Sequence, residues 1–193
     1  MIGNSIAGFL GTGVAVSASS YESIATSTVG AGGTATITFS SIPSTYTHLQ
    51  VRFIAKNAGT GSADDFFGNI SFNSDTTYTN YNNHRLSGNG ATAFGGAIQS
   101  AGNYALLGNA INSGTGTTSI FSGGVIDILD YANTNKYKTG RSLVGNDRNG
   151  SGNIYFLSSL WMNTAAINRI DITCSGGNFT QYSSFALYGI KGA

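Results

Sequence analysis

The sequence predicts an all-β protein, a jelly-roll-like antiparallel β-sandwich of about ten strands, and three observations carry that prediction. Charged residues make up 9% of the 193-residue chain, with a single glutamate, Glu22, where an ordinary soluble protein has about 25%. The polar surface is therefore built from Ser, Thr, Asn and Gly. Ser, Thr and Asn compete with the helical backbone for hydrogen bonds, and Gly loses the most entropy in it. Second, Thr, Ile, Val, Phe and Tyr are common and suit a pleated, half-buried surface. Third, apolar residues recur with period 2 rather than as a helical stripe, with turn signals at the spacing of a sandwich or barrel. No fixed-period repeat is present, which argues against a β-helix or propeller.

The elements follow in order. Residues 21–29 form a first strand, and Gly30-Ala31-Gly32-Gly33 a hairpin turn. Residues 34–39 alternate strictly, with Thr34, Thr36 and Thr38 outward and Ala35, Ile37 and Phe39 inward. Pro43, the only proline, closes that unit in a loop. Residues 48–57 alternate again: Leu49, Val51, Phe53 and Ala55 on the buried face, Arg52 and Lys56 on the other. A strand over 65–72 follows a Gly-Ser-Asp loop. Residues 73–113 are rich in Asn, Gly and Tyr and read as long loops with short strands near 83–86, 97–99 and 104–107. Residues 117–129 make a strong strand, with Gly123-Gly124 suggesting a bulge. Strands over 135–144, 153–162, 167–174 and 183–191 complete the set, with a turn cluster at 145–152 and one short helical turn at 164–168.

Two regions are expected: an N-terminal arm, residues 1–20, and the sandwich, residues 21–193. The arm carries Ile2, Ile6, Phe9, Leu10, Val14 and Val16 among small polar residues and has no charge. It lacks the positive n-region of a secretory signal, and glycines interrupt its apolar stretch. An apolar arm needs cover, on its own sandwich or a neighbouring subunit, so these six residues are the expected assembly contacts.

Catalytic chemistry finds little footing. His48 and His84 are the only histidines, and neither sits in a nucleophile motif. The carboxylates to weigh are Asp64-Asp65, Asp127 with Asp130, and Asp147. Asp127 and Asp130 are three positions apart, so a regular strand points them to opposite faces and no glycosidase pair forms. Asp147-Arg148-Asn149 has some calcium-loop character but lacks the terminal Glu, and turn chemistry accounts for it. The glycine pairs precede no helix, so they read as turns rather than phosphate cradles. Cys174, the only cysteine, falls in an apolar strand pattern and reads as a small core residue. Asn69-Ile70-Ser71 lies inside a strand, a poor place for a glycan. No catalytic residue, metal or cofactor is expected. Ten tyrosines leave room for a carbohydrate face, for which Tyr78, Tyr81 and Tyr104 in the loop-rich middle are the candidate contacts.

The formal charge of +1 comes from nine scattered Lys and Arg against eight acids. Nucleic-acid binding, which needs clustered cations, is not expected. No apolar run reaches transmembrane-helix length, and no membrane partner is expected. Near-neutrality lets many copies pack without mutual repulsion.

Three stretches together carry a resemblance. They are YESIAT at 21–26 with GGTATITF at 32–39, then IPSTYTHLQVR at 42–52, then GNF at 177–179 with SFALYGIK at 184–191. Their combination resembles small virion proteins of tailed bacteriophages, especially those of marine and cyanobacterial phage genomes. The matching patterns are strand patterns over nearly all of residues 21–191 and bring no catalytic residues with them. The resemblance implies a jelly-roll-like sandwich on the particle surface, a homo-oligomer whose partners are other virion proteins of the capsid or tail. Two roles follow: a head decoration protein anchored through its arm, or a tail or fibre module that binds a host surface glycan or receptor. The short chain, without a repetitive shaft, favours decoration.

Overall fold

A computed structural model describes residues 19–59, 65–99, 105–114 and 119–192. Alternating segments condense there into twelve strands: β1 (Tyr21–Thr28), β2 (Thr36–Phe39), β3 (His48–Ala55), β4 (Asp65–Phe72), β5 (Tyr81–Gly88), β6 (Ala93–Gln99), β7 (Ala105–Asn112), β8 (Ser122–Leu129), β9 (Lys138–Asp147), β10 (Gly152–Trp161), β11 (Ile170–Cys174) and β12 (Ser184–Ile190). The one helical element among these residues is a 3-10 turn, Tyr78–Asn80.

All strand pairs are antiparallel, in two sheets. The large sheet has the order β1-β12-β3-β8-β9-β10-β5-β6, the small one β2-β11-β4-β7. The chain switches sheets after each of its first four strands, and again from β6 to β7, β7 to β8, β10 to β11 and β11 to β12. The hairpins β5-β6 and β9-β10 widen only the large sheet.

Alternation explains the core between the sheets. Leu49, Val51, Phe53 and Ala55 of β3 meet Ile126 and Ile128 of β8 and Phe185 and Leu187 of β12 on the inner face of the large sheet. Ile37, Phe39, Ile70, Phe72, Ile170 and Ile172 face them from the small sheet. Phe72 packs on Trp161 across the sandwich with ring centroids 5.5 Å apart.

Several expectations need correction. The middle of the chain forms the full strands β5, β6 and β7 instead of short pieces in long loops, because ladder pairing with β10 and β4 supplies what Asn- and Gly-rich propensity lacks. β9 runs to Asp147, into the anticipated turn cluster, leaving only residues 148–151 for the hairpin turn. β8 begins at Ser122. No helical turn forms at 164–168. Lys56, assigned to the outer face, is buried beyond the end of β3, where its neighbour Asn57 donates its backbone N–H to the Asn112 carbonyl. The ladder runs unbroken through Gly123-Gly124, so this pair is not a bulge. The Phe53 ring lies where a Gly124 Cβ would be. Of the arm, only Ser19 and Ser20 are described. Ile2, Ile6, Phe9, Leu10, Val14 and Val16 lie outside the described residues.

A second glycine serves the same purpose at one end of the sandwich. The Tyr46 ring lies directly on Gly189 of β12, while its hydroxyl donates to Glu22 Oε2 at 3.1 Å. Lys191 Nζ donates to Glu22 Oε1 at 2.6 Å, and the Tyr131 hydroxyl donates to the Pro43 carbonyl. The only glutamate thus fastens the ends of β1 and β12 to the loop before β3, and the carbonyl of the only proline ties that loop to Tyr131 after β8. Gly189→Ala should displace the Tyr46 ring and cost about 1–3 kcal/mol, read as a lower urea midpoint with an unchanged m-value.

Candidate functional site

Among the described residues the acidic side chains do not gather at one place; a cleft of about 320 Å³ is lined by Asn89, Asn146, Asp147, Ser151 and Asn153. Glu22, Asp75, Asp127, Asp130, Asp147 and Asp171 each accept at least one hydrogen bond within the fold. Asp130 pairs with Lys136, and its backbone N–H donates to His48 Nδ1 at 3.0 Å, so that nitrogen acts as an acceptor. The Asp130 carboxyl lies below its ordinary pKa, chiefly through the Lys136 bond. Asp147 Oδ1 accepts the Asn149 N–H at 2.8 Å, the local turn expected of Asp and Asn. Among the described residues no three His, Cys, Asp or Glu side chains gather as a metal site. Burial pushes the Cys174 thiol up to about 12, so it stays protonated and poorly nucleophilic at neutral pH. Asn69 is buried, which bars glycosylation there.

The three candidate glycan tyrosines separate. Tyr78 is exposed on the 3-10 turn. Tyr81 is a correction: it is 1% exposed, with its hydroxyl donating to the Asp75 carbonyl at 3.0 Å and accepting the Phe72 N–H at 3.2 Å. The pattern of β5 puts Tyr81 on the inner face, where it is a structural post. Tyr104 lies outside the described residues.

Two surfaces stand out instead. The first is the outer face of the large sheet. Ile54, Leu86, Leu143, Ile154 and Phe156 are each at least 44% exposed there. Register aligns Val125, Leu143, Phe156 and Leu86 in one row across β8, β9, β10 and β5. The adjacent row reads Gly123, Gly145, Ile154 and Gly88 on the same strands. Toward β1 the face turns polar. Gln50 Nε2 donates to Asp127 Oδ1 at 2.7 Å, Arg52 Nε donates to Gln50 Oε1 at 2.9 Å, and Tyr21, stacked on Tyr188, donates to Gln50 Oε1 at 2.6 Å. The pattern of β10 could have revealed this face. Ile154-Tyr155-Phe156-Leu157 is apolar on both sides, where a strand with one solvated face should alternate.

The second surface is a depression of about 510 Å³ lined by residues that include Lys56, Ser119, Phe121, Thr180, Gln181 and Tyr182. Tyr182 is 71% exposed. It sits at φ +73° in a turn closed by the Ser183 N–H on the Thr180 carbonyl at 3.2 Å. That turn position normally takes glycine, because a Cβ is crowded there. Tyr182→Gly should therefore raise stability by up to about 1 kcal/mol despite the added freedom of the unfolded chain, seen as a thermal midpoint a few degrees higher. Its signal in the sequence, a Tyr inside the turn Thr180-Gln181-Tyr182-Ser183, is weak.

No protein-family model and no curated protein sequence matches this chain.

Proposed function

We propose that the protein is a non-enzymatic structural component of a tailed-phage particle, a head decoration protein anchored through its N-terminal arm. The observation that carries the assembly role is the outer face of the large sheet, where large apolar side chains on four adjacent strands face water. A contiguous apolar patch on a soluble protein marks a contact surface. The particle itself is supplied by the resemblance in residues 21–191. The switching of the chain between sheets supports reading the sandwich as a jelly roll, a fold shared by capsid and lectin domains. Low charge density suits packing in many copies. Immunogold labelling of intact particles with antibodies to residues 19–192 tests the assignment. Labelling over heads is the expected result, and protein found only free in the lysate refutes it.

A second reading, a tail or fibre module for host carbohydrate, draws on the exposed Tyr182 at the rim of its depression. An exposed ring flanked by Thr180, Gln181 and Ser119 offers a stacking surface with hydrogen-bonding neighbours, which suits a sugar. A glycan array with the wild type and Tyr182→Ala decides it. Binding that the substitution abolishes favours this reading, and a blank array removes it.

A further inference from the structure

We infer that the outer face of the large sheet is a contact surface for a second copy of this chain, built to be complementary to itself. The argument lies in the order of residues along the strands. On β9 the outward side chains run Arg141, Leu143, Gly145, Asp147; on β8 the run includes Asp127, Val125, Gly123; on β5 it includes His84, Leu86, Gly88. In each, the large apolar residue belongs to one row and a glycine to the next.

Two such faces meet around a twofold axis lying in the contact plane, perpendicular to the strands and midway between the two rows. That operation sets each strand against its own copy and exchanges the rows. Leu143 of one copy then covers Gly145 of the other, Val125 covers Gly123, and Leu86 covers Gly88. A Cβ on Gly123 would have no heavy atom within 4 Å, so the space above it is open to a partner's side chain. The same operation brings Arg141 over Asp147, both exposed, and pairs opposite charges on both sides of the axis. On β10, Phe156 meets Ile154, an apolar pair in the middle. A contact in which the same patch serves both partners is the isologous kind that closes into a dimer.

The size fits a second copy. Four strands at about 4.8 Å spacing and four outward positions at about 6.7 Å give a footprint roughly 20 Å on a side. That is about 400 Å² per partner and roughly 800 Å² in all, below stable interfaces and within the range of weak, transient ones, a pairing suited to copies held close together. The inference is independent of the particle reading, since copies can pair wherever the protein sits.

The test is sedimentation velocity on the full chain from low to high micromolar concentration. The wild type should pass from monomer to dimer. Leu143→Asp, which buries a charge against the partner's apolar rows, should weaken association at least about tenfold. Arg141→Asp should weaken it because Asp then faces Asp147, and Arg141→Asp with Asp147→Arg should restore it to near the wild-type constant. Rescue by the double exchange is a result a merely misfolded single variant cannot give, and circular dichroism melts check each fold. A wild type that stays monomeric throughout overturns the inference, as does association unaffected by Leu143→Asp or a double exchange without rescue. A dimer seen only after removal of residues 1–18 also overturns it, because the face would then belong to the chain's own arm.

Discussion

Replacing Lys138 with Met will lower the stability of the fold by roughly 2–4 kcal/mol, because it removes three hydrogen bonds given by a charged donor. Lys138 opens β9 and is 1% exposed. Its Nζ donates to the carbonyls of Asn133 at 2.6 Å, Lys136 at 2.9 Å and Thr164 at 3.0 Å, which uses all three ammonium donors. The carbonyls come from two loops, the one that follows β8 and the one that follows β10, so a single cation ties two connections together. Burial and the nearby Lys136 charge push its pKa below that of an ordinary lysine. Methionine preserves most of the stem beside the cross-strand neighbour Trp161 but leaves the three part-buried carbonyls without that donor, and a hydrogen bond to a charged group is worth about 1.5–3 kcal/mol, less where water can take its place. Urea denaturation gives the total, and amide exchange in residues 133–137 and 163–166 should accelerate more than in β3 or β12. A loss below about 1 kcal/mol would mean that water replaces the ammonium without cost, contrary to its burial.

Lys138 also shows where sequence reasoning stops. The alternation that placed Leu49, Val51, Phe53 and Ala55 inside was legible because a period of 2 fixes the face of every residue once one is known. Applied across the anticipated strand 48–57, the same rule put Lys56 outside, but β3 ends at Ala55 and the lysine is buried beyond it. Lys138 is a charged residue at an inward position, and nothing local announces the three carbonyls that receive it. β5, β6 and β7 were faint because Asn, Gly and Ser have low strand propensity, and the partners that hold β5 and β7, namely β10 and β4, lie far along the chain. The apolar outer face was hidden for another reason. Leu86, Leu143 and Phe156 are unremarkable one at a time, and only cross-strand register assembles them into a row.

Acidification should remove a discrete contribution of Asp75 between pH 4 and pH 2. Burial works to raise the pKa of this carboxyl, yet donors from Asn80, Trp161 and Thr77 outweigh it and hold the value at about 2. The bonds are short: Trp161 Nε1 to Oδ2 at 2.7 Å, Asn80 Nδ2 to Oδ2 at 2.8 Å and the Thr77 N–H to Oδ1 at 2.8 Å. They anchor the loop between β4 and β5 to the inner end of β10, next to Tyr81 and Phe72. A carboxyl whose pKa is depressed in the fold stabilises it above the unfolded value near 3.8, and that stability is lost as pH falls toward the folded value. The shift corresponds to on the order of 2 kcal/mol. Asp75→Asn keeps the shape but removes the charge that strengthens all three bonds, so it should lose about 1.5–3 kcal/mol at neutral pH. The gap between wild type and variant should then narrow through pH 4 to 2, as protonation takes from the wild type what the substitution already removed. Trp161 is the only tryptophan, so its fluorescence reads the carboxylate at its indole N–H directly. Wild-type emission should titrate in the same window while the variant stays flat. Stability curves that run parallel down to pH 2 would show that the carboxylate is not what holds the loop.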